Sequence, residues 1–216
     1  MVVGENNMSD SLIHGLTFIN KDYKLVAEFG VWQGRTIKII RETLDDSFQI
    51  FGFDSFEGMP DHTTTLKNVA SVHSNGYGAK VYQNMFDRDV VIDPGVFSTN
   101  KQTPDVENVT WCVGWFDDTL PEFTKNHPVQ PAALLHIDCD HYQSTKTVFK
   151  NMHPYIAKDT VLVFDEWHMD ATIKTPHHEQ KAFYEWVKEH NIKFKFIHYT
   201  DKSAYFPEER KIIQIL

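Results

Sequence analysis

The sequence predicts an α/β fold in which helices cover both faces of a mainly parallel sheet. Two observations predict it: short apolar runs recur along the chain, and helical patterns alternate with several of them. The runs are rich in Val, Ile, Leu and Phe, as is typical of parallel strands that are buried on both faces. They cover residues 24–30, 49–56, 109–116, 132–140, 160–167, 193–200 and 211–216.

The helical patterns occupy 36–44, 143–156 and 178–190. Each of them follows one of the apolar runs, and this alternation of strand and helix is the pattern of a parallel sheet with helices on its two faces. The third pattern places four apolar residues on one face of its helix, namely Ala182, Phe183, Trp186 and Val187. The sequence therefore predicts one α/β domain over residues 1–216.

Residues 57–108 interrupt this alternation, because they join the second and third predicted strands over a distance far beyond the usual loop length. Connections this long are usually functional covers or disordered segments. We interpret 57–108 as a lid-like insertion, with a mobile turn near Gly76 and Gly78; a passive excursion is the alternative. Four aromatic residues of this segment are candidates for stacking on a sugar or aromatic ligand or for packing the insertion onto the core: Tyr77, Tyr82, Phe86 and Phe97. We favour the core for Phe86.

Composition excludes several classes of partner. Lys and Arg total 21 against 30 Asp and Glu, a net charge of −9, so phosphate backbones and anionic membrane surfaces are disfavoured. No apolar run reaches the length of a membrane-spanning helix, and the N-terminus lacks the features of a secretory signal. Cys112 and Cys139 lie in strand-like runs, which favours buried free thiols and a cytoplasmic location.

The first candidate site follows the first predicted strand, in the run from Glu28 to Thr36. Gly30 permits a sharp turn, and Gly34 allows a ligand to approach the main chain closely. Asp54 ends the second strand about 20 residues further on, where an acidic side chain can accept both hydroxyls of a ribose. A tight turn and a helix cap are the alternative explanations.

The sequence lacks the third glycine of the tight phosphate-binding pattern, and it has no Gly-Lys-Ser/Thr motif. These absences favour a nucleoside without phosphates, such as S-adenosylmethionine. Glu28 agrees with that choice, because a carboxylate at the end of the first strand repels a phosphate and tolerates an ammonium group.

The second candidate site combines acidic residues at the ends of the fourth and fifth predicted strands. Asp138, Asp165 and Glu166 converge if these strands are neighbours, and their mutual repulsion is relieved by a divalent cation. Ligands that are all oxygen favour Mg²⁺ first, then Mn²⁺ or Ca²⁺. Helix capping by these acids is the alternative.

Histidines flank the carboxylates. His141 and His168 are each a candidate general base, a metal ligand or an ordinary loop residue. We expect His177 and His178 to face solvent. The clusters at 136–141 and 165–168 also leave a metal-dependent hydrolase open, although the histidine pattern of binuclear zinc hydrolases is incomplete here.

Five motifs together resemble a known family. The segment 26–34, Val-Ala-Glu-Phe-Gly-Val-Trp-Gln-Gly, is close to the first motif of class I S-adenosylmethionine-dependent methyltransferases. More narrowly, Gly-Phe-Asp-Ser-Phe-Glu-Gly-Met-Pro at 52–60 resembles a signature of the macrocin O-methyltransferase family. The segments 114–121 and 138–145 are similar to later signatures of that family, and so is Val-Phe-Asp-Glu at 163–166.

The resemblance implies a Rossmann-like, seven-stranded sheet whose final strand is antiparallel, and Mg²⁺-assisted methyl transfer from S-adenosylmethionine to a hydroxyl. By position it places Gly30 and Gly34 at the methionine part of the cofactor, Asp54 at the ribose, and Asp138, Asp165 and Glu166 at the metal. The family usually has two Asp residues where this chain has Asp165 and Glu166. We expect further residues in or beside the motifs to contribute to the cofactor site, namely Glu28, Thr36, Ser55, Trp115, Phe116 and, in addition to its metal role, Asp138.

His141 stands three residues after Asp138, the offset at which catechol-type methyltransferases carry a basic Lys. We therefore hypothesise that Asp138 and His141 are catalytic, with His141 assisting deprotonation. The expected partner is a small-molecule hydroxyl acceptor such as a glycoside, and the family often forms homodimers or larger assemblies. A nucleoside-binding protein without catalysis is the remaining alternative.

Overall fold

The computed structural model describes residues 10–61, 69–74, 80–84, 90–167, 176–199 and 210–216, with the main chain alone at 69–74, 80–84 and 90–91. Its strands, in chain order, are β1 (Leu25–Phe29), β2 (Gln49–Asp54), β3 (Val69–Ser74), β4 (Lys80–Asn84), β5 (Val90–Ile92), β6 (Val109–Val113), β7 (Ala132–Ile137), β8 (Val161–Phe164), β9 (Phe194–Ile197) and β10 (Lys211–Ile215). Its helices are α1 (Asp10–Leu16), α2 (Arg35–Thr43), α3 (Phe116–Asn126), α4 (Tyr142–Met152), a 3₁₀ turn (His153–Tyr155) and α5 (His178–His190).

Seven strands form the main sheet in the order β6-β2-β1-β7-β8-β10-β9. From β6 to β8 all neighbours are parallel, whereas β10 is antiparallel to both β8 and β9. The seven apolar runs of the sequence supply these seven strands, so the mostly parallel sheet and its antiparallel last strand are confirmed.

Alternate residues of β1 contribute to two separate apolar cores. Leu25, Ala27 and Phe29 pack with residues of α3, α4 and α5 on one face of the sheet. Val26 belongs to the other core, which holds residues of α1 and α2. All five residues of β1 are buried, as expected for a central strand that is covered on both sides.

Two helices were not predicted from the sequence. α1 precedes the first strand, and α3 begins where the apolar run 109–116 was expected to continue as strand. Gly114, at φ +143°, ends that strand early, and Asp117 and Asp118 favour a helix by lying in the first turn of α3.

The predicted insertion 57–108 contains structure of its own. β3, β4 and β5 form a separate antiparallel sheet in the order β3-β4-β5. Gly76, Tyr77, Gly78 and Phe86 lie outside the described residues, as do the side-chain contacts of Tyr82. Phe97 is described, and its ring meets that of Trp32 edge-to-face at 5.2 Å between centroids.

In the described part of the chain, no helix has the length and apolar character that crossing a membrane requires. Both cysteines are free thiols, as predicted; Cys139 is buried, and Cys112 is partly so. Burial raises the pKa of the Cys112 thiol to about 11, which keeps it protonated at neutral pH.

Candidate cofactor and metal site

The turn after β1 joins the ends of three adjacent strands. The Gly30 amide donates to the Phe53 carbonyl of β2, and the Asp138 amide donates to the Phe29 carbonyl, each over 3.0 Å. Gly30 has φ +87°, and a Cβ atom at this position would lie 1.7 Å from the Asp138 carbonyl oxygen. Glycine is therefore required here by a left-handed main chain and by the close approach of the segment that follows β7.

Gly34 has a different neighbour from the one expected. It precedes α2 at φ +79°, and a Cβ atom there would lie 2.5 Å from the Pro104 side chain. The close approach is thus made by the predicted insertion. A cofactor contact at Gly34, or at the partly buried Thr36 in the first turn of α2, stays a prediction.

Asp54 organises the same turn through its carboxylate. Oδ2 accepts hydrogen bonds from the amides of Val31 (2.7 Å) and Trp32 (2.8 Å), and Oδ1 accepts from the Phe56 amide (2.7 Å). A carboxylate offers about four lone-pair positions, so three are used by the protein itself. One lone-pair position on Oδ1 therefore remains for the ribose hydroxyl that Asp54 is predicted to bind.

Glu28 and His136 form a buried pair on neighbouring strands. The two residues are direct partners in the β1–β7 register, and Glu28 Oε1 lies 2.8 Å from His136 Nδ1. Glu28 is fully buried, and its Oε2 has no hydrogen-bond partner among the described residues. Side-chain oxygen or nitrogen atoms of Glu28, His136 and Asp138 all lie within 4.8 Å of one another. Asp138 therefore connects the Glu28–His136 pair to the predicted metal ligands.

The predicted metal ligands come together. Oxygen atoms of Asp138, Asp165 and Glu166 lie within 4.8 Å of one another, at the adjacent ends of β7 and β8. Glu166 Oε2 is buried and has no hydrogen-bond partner among the described residues. Three carboxylate oxygens, one of them buried without a donor, fit a hard divalent cation.

The electrostatics of this cluster agree with that fit. Burial, followed by the charges of Asp165 and Asp140, raises the pKa of Asp138 well above its ordinary value. Burial raises the pKa of Glu166 in the same way, with Asp140 as its strongest charged neighbour, and burial raises the pKa of Asp140 to about 7. Protons or a cation must therefore compensate these buried carboxylates.

Two charged residues of this cluster were not identified from the sequence. Arg210, which precedes β10, donates from Nε to Asp165 Oδ1 over 2.6 Å, and both side chains are buried. Glu179, in the first turn of α5, is fully buried beside the cluster. A signal for Glu179 exists in the sequence, because it shares the buried stripe of its helix with Ala182, Phe183 and Trp186; no local pattern marks Arg210.

The expectation for His177 and His178 was wrong, because both residues are completely buried. The first turn of α5 packs against the segment after β7, where His178 Nδ1 donates to the Asp140 carbonyl oxygen over 2.7 Å. Burial, and then the neighbouring His177, lower the pKa of His178 to about 3, so that this imidazole is neutral.

His141 is buried, and its Nε2 accepts a hydrogen bond of 3.0 Å from the Ile92 amide. The Nε2 lone pair is therefore engaged by the end of β5, and in this arrangement His141 connects the insertion to the segment that carries Asp138. The proposed base role of His141 stays a prediction. His168, the other candidate base and a member of the cluster considered for a hydrolase, lies outside the described residues.

The other predicted cofactor residues surround the turn. Ser55 is buried, and its Oγ accepts from the Glu57 amide over 3.1 Å. Trp115 precedes α3 and is 37% exposed, while the Phe116 ring meets the Phe29 ring edge-to-face at 6.1 Å. Phe116 thus packs towards the core beneath the turn, and Trp115 remains accessible to a ligand.

Comparison with known proteins places this arrangement in a family. Residues 27–167 match the model of the family described as "Methyltransferase domain". The solved structure described as "Structure of the O-methyltransferase NovP" superposes with a TM-score of 0.60, at 20% identity, over 99% of this chain and 81% of that chain. At that identity the likeness concerns the fold, and it confirms the predicted Rossmann-like sheet.

Two curated relatives match at higher identity. The first, "8-demethyl-8-(2,3-dimethoxy-alpha-L-rhamnosyl)-tetracenomycin-C 4'-O-methyltransferase" of Streptomyces olivaceus, is 27% identical over 68% of this chain and 54% of its own length. The second, "Demethyldecarbamoylnovobiocin O-methyltransferase" of Streptomyces niveus, is 27% identical over 73% of this chain and 58% of its own length. The chain thus spans somewhat more than half the length of these relatives.

Proposed function

Because this chain belongs to the methyltransferase-domain family, we propose that it transfers a methyl group from S-adenosylmethionine to a hydroxyl oxygen of a small, sugar-containing acceptor. The observation that carries the proposal is the meeting of Glu28, Asp54 and Asp138 around one glycine turn. The main chain of that turn is hydrogen-bonded to β2 and to the segment after β7. Asp54 accepts hydrogen bonds from two amides of the turn, those of Val31 and Trp32. Ligands of open α/β sheets bind at such strand ends.

Glu28 and Asp54 have separate tasks in this mechanism. The buried Oε2 of Glu28 needs a hydrogen-bond donor, and the ammonium group of the cofactor's methionine is a donor of the right charge. Asp54 would hold the ribose through Oδ1, and the amides of Val31, Trp32 and Phe56 fix the position of its carboxylate. S-adenosylmethionine, when bound, supplies an electrophilic methyl group on a sulfonium, so the protein contributes mainly by alignment.

Asp138, Asp165 and Glu166 would hold Mg²⁺, with Mn²⁺ or Ca²⁺ as the next candidates. A bound cation of this kind would lower the pKa of an acceptor hydroxyl and fix the acceptor's oxygen atoms. Asp138 belongs both to this group and to the group around Glu28, so an acceptor held at the metal would lie next to the cofactor. Arg210 donates to Asp165 Oδ1 and thereby holds this carboxylate in place.

His141 is proposed as the residue that assists removal of the acceptor proton. His141 Nε2 can accept that proton only after its hydrogen bond from the Ile92 amide breaks. Because Ile92 belongs to the insertion, deprotonation of the acceptor then requires the insertion to move. We also propose that residues 57–108 act as a lid. Three contacts support this role, those of Pro104 with Gly34, Phe97 with Trp32, and Ile92 with His141.

The sugar-containing acceptor rests on the names of the two curated relatives, one named for a rhamnosyl-bearing tetracenomycin and the other for demethyldecarbamoylnovobiocin. Membership in the narrower macrocin O-methyltransferase family is likewise a proposal, supported by the segments 52–60 and 138–145. A cytoplasmic location, a homodimer or larger assembly, and the lack of a nucleic-acid partner complete the proposal.

A turnover experiment tests the reaction. The protein is incubated with S-adenosylmethionine, Mg²⁺ and a panel of rhamnosides and other glycosides with free hydroxyls, and the products are analysed by mass spectrometry. We expect one acceptor to gain a single CH₂ unit while an equal amount of S-adenosylhomocysteine appears, with loss of both on adding EDTA. Binding of S-adenosylhomocysteine without turnover of any glycoside would instead indicate a nucleoside-binding protein.

A further inference from the structure

The first turn of α5 contacts both segments that carry the candidate metal ligands. Glu179 is completely buried, and each of its carboxylate oxygens accepts one main-chain hydrogen bond. Oε1 accepts from the Cys139 amide and Oε2 from the Glu166 amide, both over 3.3 Å. A single side chain thus bridges the end of β7 and the end of β8.

Both amides belong to the segments that carry the candidate ligands. Cys139 directly follows Asp138, and Glu166 is itself a candidate ligand. The last ladder bond between β7 and β8 runs from the Asp165 amide to the Ile137 carbonyl, and the Glu179 carboxylate links the two segments just beyond it. This matters more in this chain because Glu166 is longer than an Asp and reaches its place within 4.8 Å of Asp138 and Asp165 only from a suitably placed main chain.

Neighbouring contacts support the same arrangement. The Cys139 thiol lies 3.8 Å from Glu179 Oε1 and 3.3 Å from Thr145 Oγ1, and His178 donates to the Asp140 carbonyl oxygen. α5 and α4 therefore hold the segment after β7 from two sides. Residues that orient metal ligands in this way contribute strongly to metal affinity without touching the metal.

We propose that Glu179 is a positioning residue of the metal site, which bridges the amides of Cys139 and Glu166 and thereby sets the spacing of Asp138 and Glu166 for a divalent cation. The inference rests on the metal site of the proposed function. It concerns a residue that lies outside the three candidate ligands.

The test compares Glu179→Asp with the wild type by calorimetric titration with MgCl₂ and, separately, with S-adenosylhomocysteine. Asp retains the carboxyl group but withdraws it by one methylene group, and hydrogen bonds that already measure 3.3 Å do not survive that change at both amides. We expect Mg²⁺ affinity to fall by about tenfold while the affinity for S-adenosylhomocysteine stays within about twofold, that is, within about 0.4 kcal/mol.

Glu185→Asp is the matched control, because Glu185 is an exposed acid on the same helix whose carboxylate contacts the side chains of Tyr142 and Lys146. It should bind Mg²⁺ as the wild type does. Glu179→Gln, which keeps the length of the side chain but can accept at only one of the two amides, provides a second variant if Glu179→Asp does not fold. We expect it also to lose Mg²⁺ affinity.

Two results would overturn the inference alone: Mg²⁺ affinity in Glu179→Asp within about twofold of the wild-type value, or a parallel loss of Mg²⁺ and S-adenosylhomocysteine affinity, which indicates a general structural role. A wild-type protein that binds S-adenosylhomocysteine but no Mg²⁺ would overturn the metal site and this inference together. Failure of the wild type to bind S-adenosylhomocysteine would count against the proposed function itself.

Discussion

Replacement of Gly30 by Ala tests the turn on which the whole site depends. Any L-residue at φ +87° costs about 1–2 kcal/mol because its Cβ crowds the main chain. At Gly30 the new methyl group would also lie 1.7 Å from the Asp138 carbonyl oxygen, and only movement of the main chain can relieve that contact. Overpacking of this kind adds about 1–3 kcal/mol or more.

Gly95→Ala is the matched comparison, because Gly95 has a similar φ of +80° and nothing described lies within 4 Å of its added Cβ. Urea unfolding, followed by tryptophan fluorescence, measures both variants. We expect Gly95→Ala to lose about 1–2 kcal/mol of unfolding free energy and Gly30→Ala to lose at least about 3 kcal/mol. A difference between the two variants below about 0.5 kcal/mol would refute the claim that β1 and the segment after β7 meet this closely.

Three further predictions concern titrating residues. The pKa of His178 is lowered to about 3 in the fold from an ordinary value of 6.5, so the unfolded chain binds the proton first as the pH falls below about 6.5. Between pH 7.5 and pH 5 the wild type should therefore lose about 2 kcal/mol more unfolding free energy than His178→Asn, as measured by urea unfolding. Equal losses in the two proteins would contradict this. Burial raises the pKa of Asp138 and Glu166, and it raises the pKa of Asp140 in the same cluster to about 7. The metal-free fold therefore loses stability as rising pH removes protons from this cluster, and Mg²⁺ should raise the melting temperature more at pH 8 than at pH 6; a shift independent of pH would count against this cluster as the binding site. His141→Ala should lower kcat with unchanged affinity for S-adenosylhomocysteine, and unchanged turnover across the pH range would refute the base role.

The seven strands could be predicted because strands that are buried on both faces appear in the sequence as continuous apolar runs. β1 consists of buried residues throughout, and so does β8. The small sheet β3-β4-β5 could not be predicted in the same way, because it lies outside the main sheet, within a segment rich in turn-forming and polar residues. α3 was missed because Gly114 ends the strand within a continuous apolar run.

The candidate ligands were predictable because the carboxyl ends of parallel neighbours meet at one edge of the sheet, which brings Asp138 to Asp165 and Glu166. Local pattern could not show what holds them in place. Arg210 reaches Asp165 across 45 residues of sequence, and only the register of β10 with β8 brings the two together. Asp54 illustrates the same limit, because its position was predicted, whereas its three amide donors depend on the geometry of the turn.

The hydrogen bonds of Asp54 also complicate any simple substitution there. Removing the carboxylate takes away both the proposed ribose ligand and the acceptor of three amides, each bond to a charged group being worth about 1.5–3 kcal/mol. Asp54→Asn is therefore preferable to Asp54→Ala, because it preserves the shape of the side chain and one of its acceptor oxygens. Its unfolding free energy should be measured together with its ligand affinity, so that a loss of folding is separated from a loss of binding.

Calorimetric titration of the folded wild-type protein with S-adenosylhomocysteine tests the central claim most directly. The account predicts one site per chain with a dissociation constant on the order of micromolar, and an affinity at least about tenfold weaker in a folded Asp54→Asn variant. Absence of binding by the folded wild type at millimolar ligand, with or without Mg²⁺, would contradict the assignment of the strand ends around Gly30 as a site for the methyl donor.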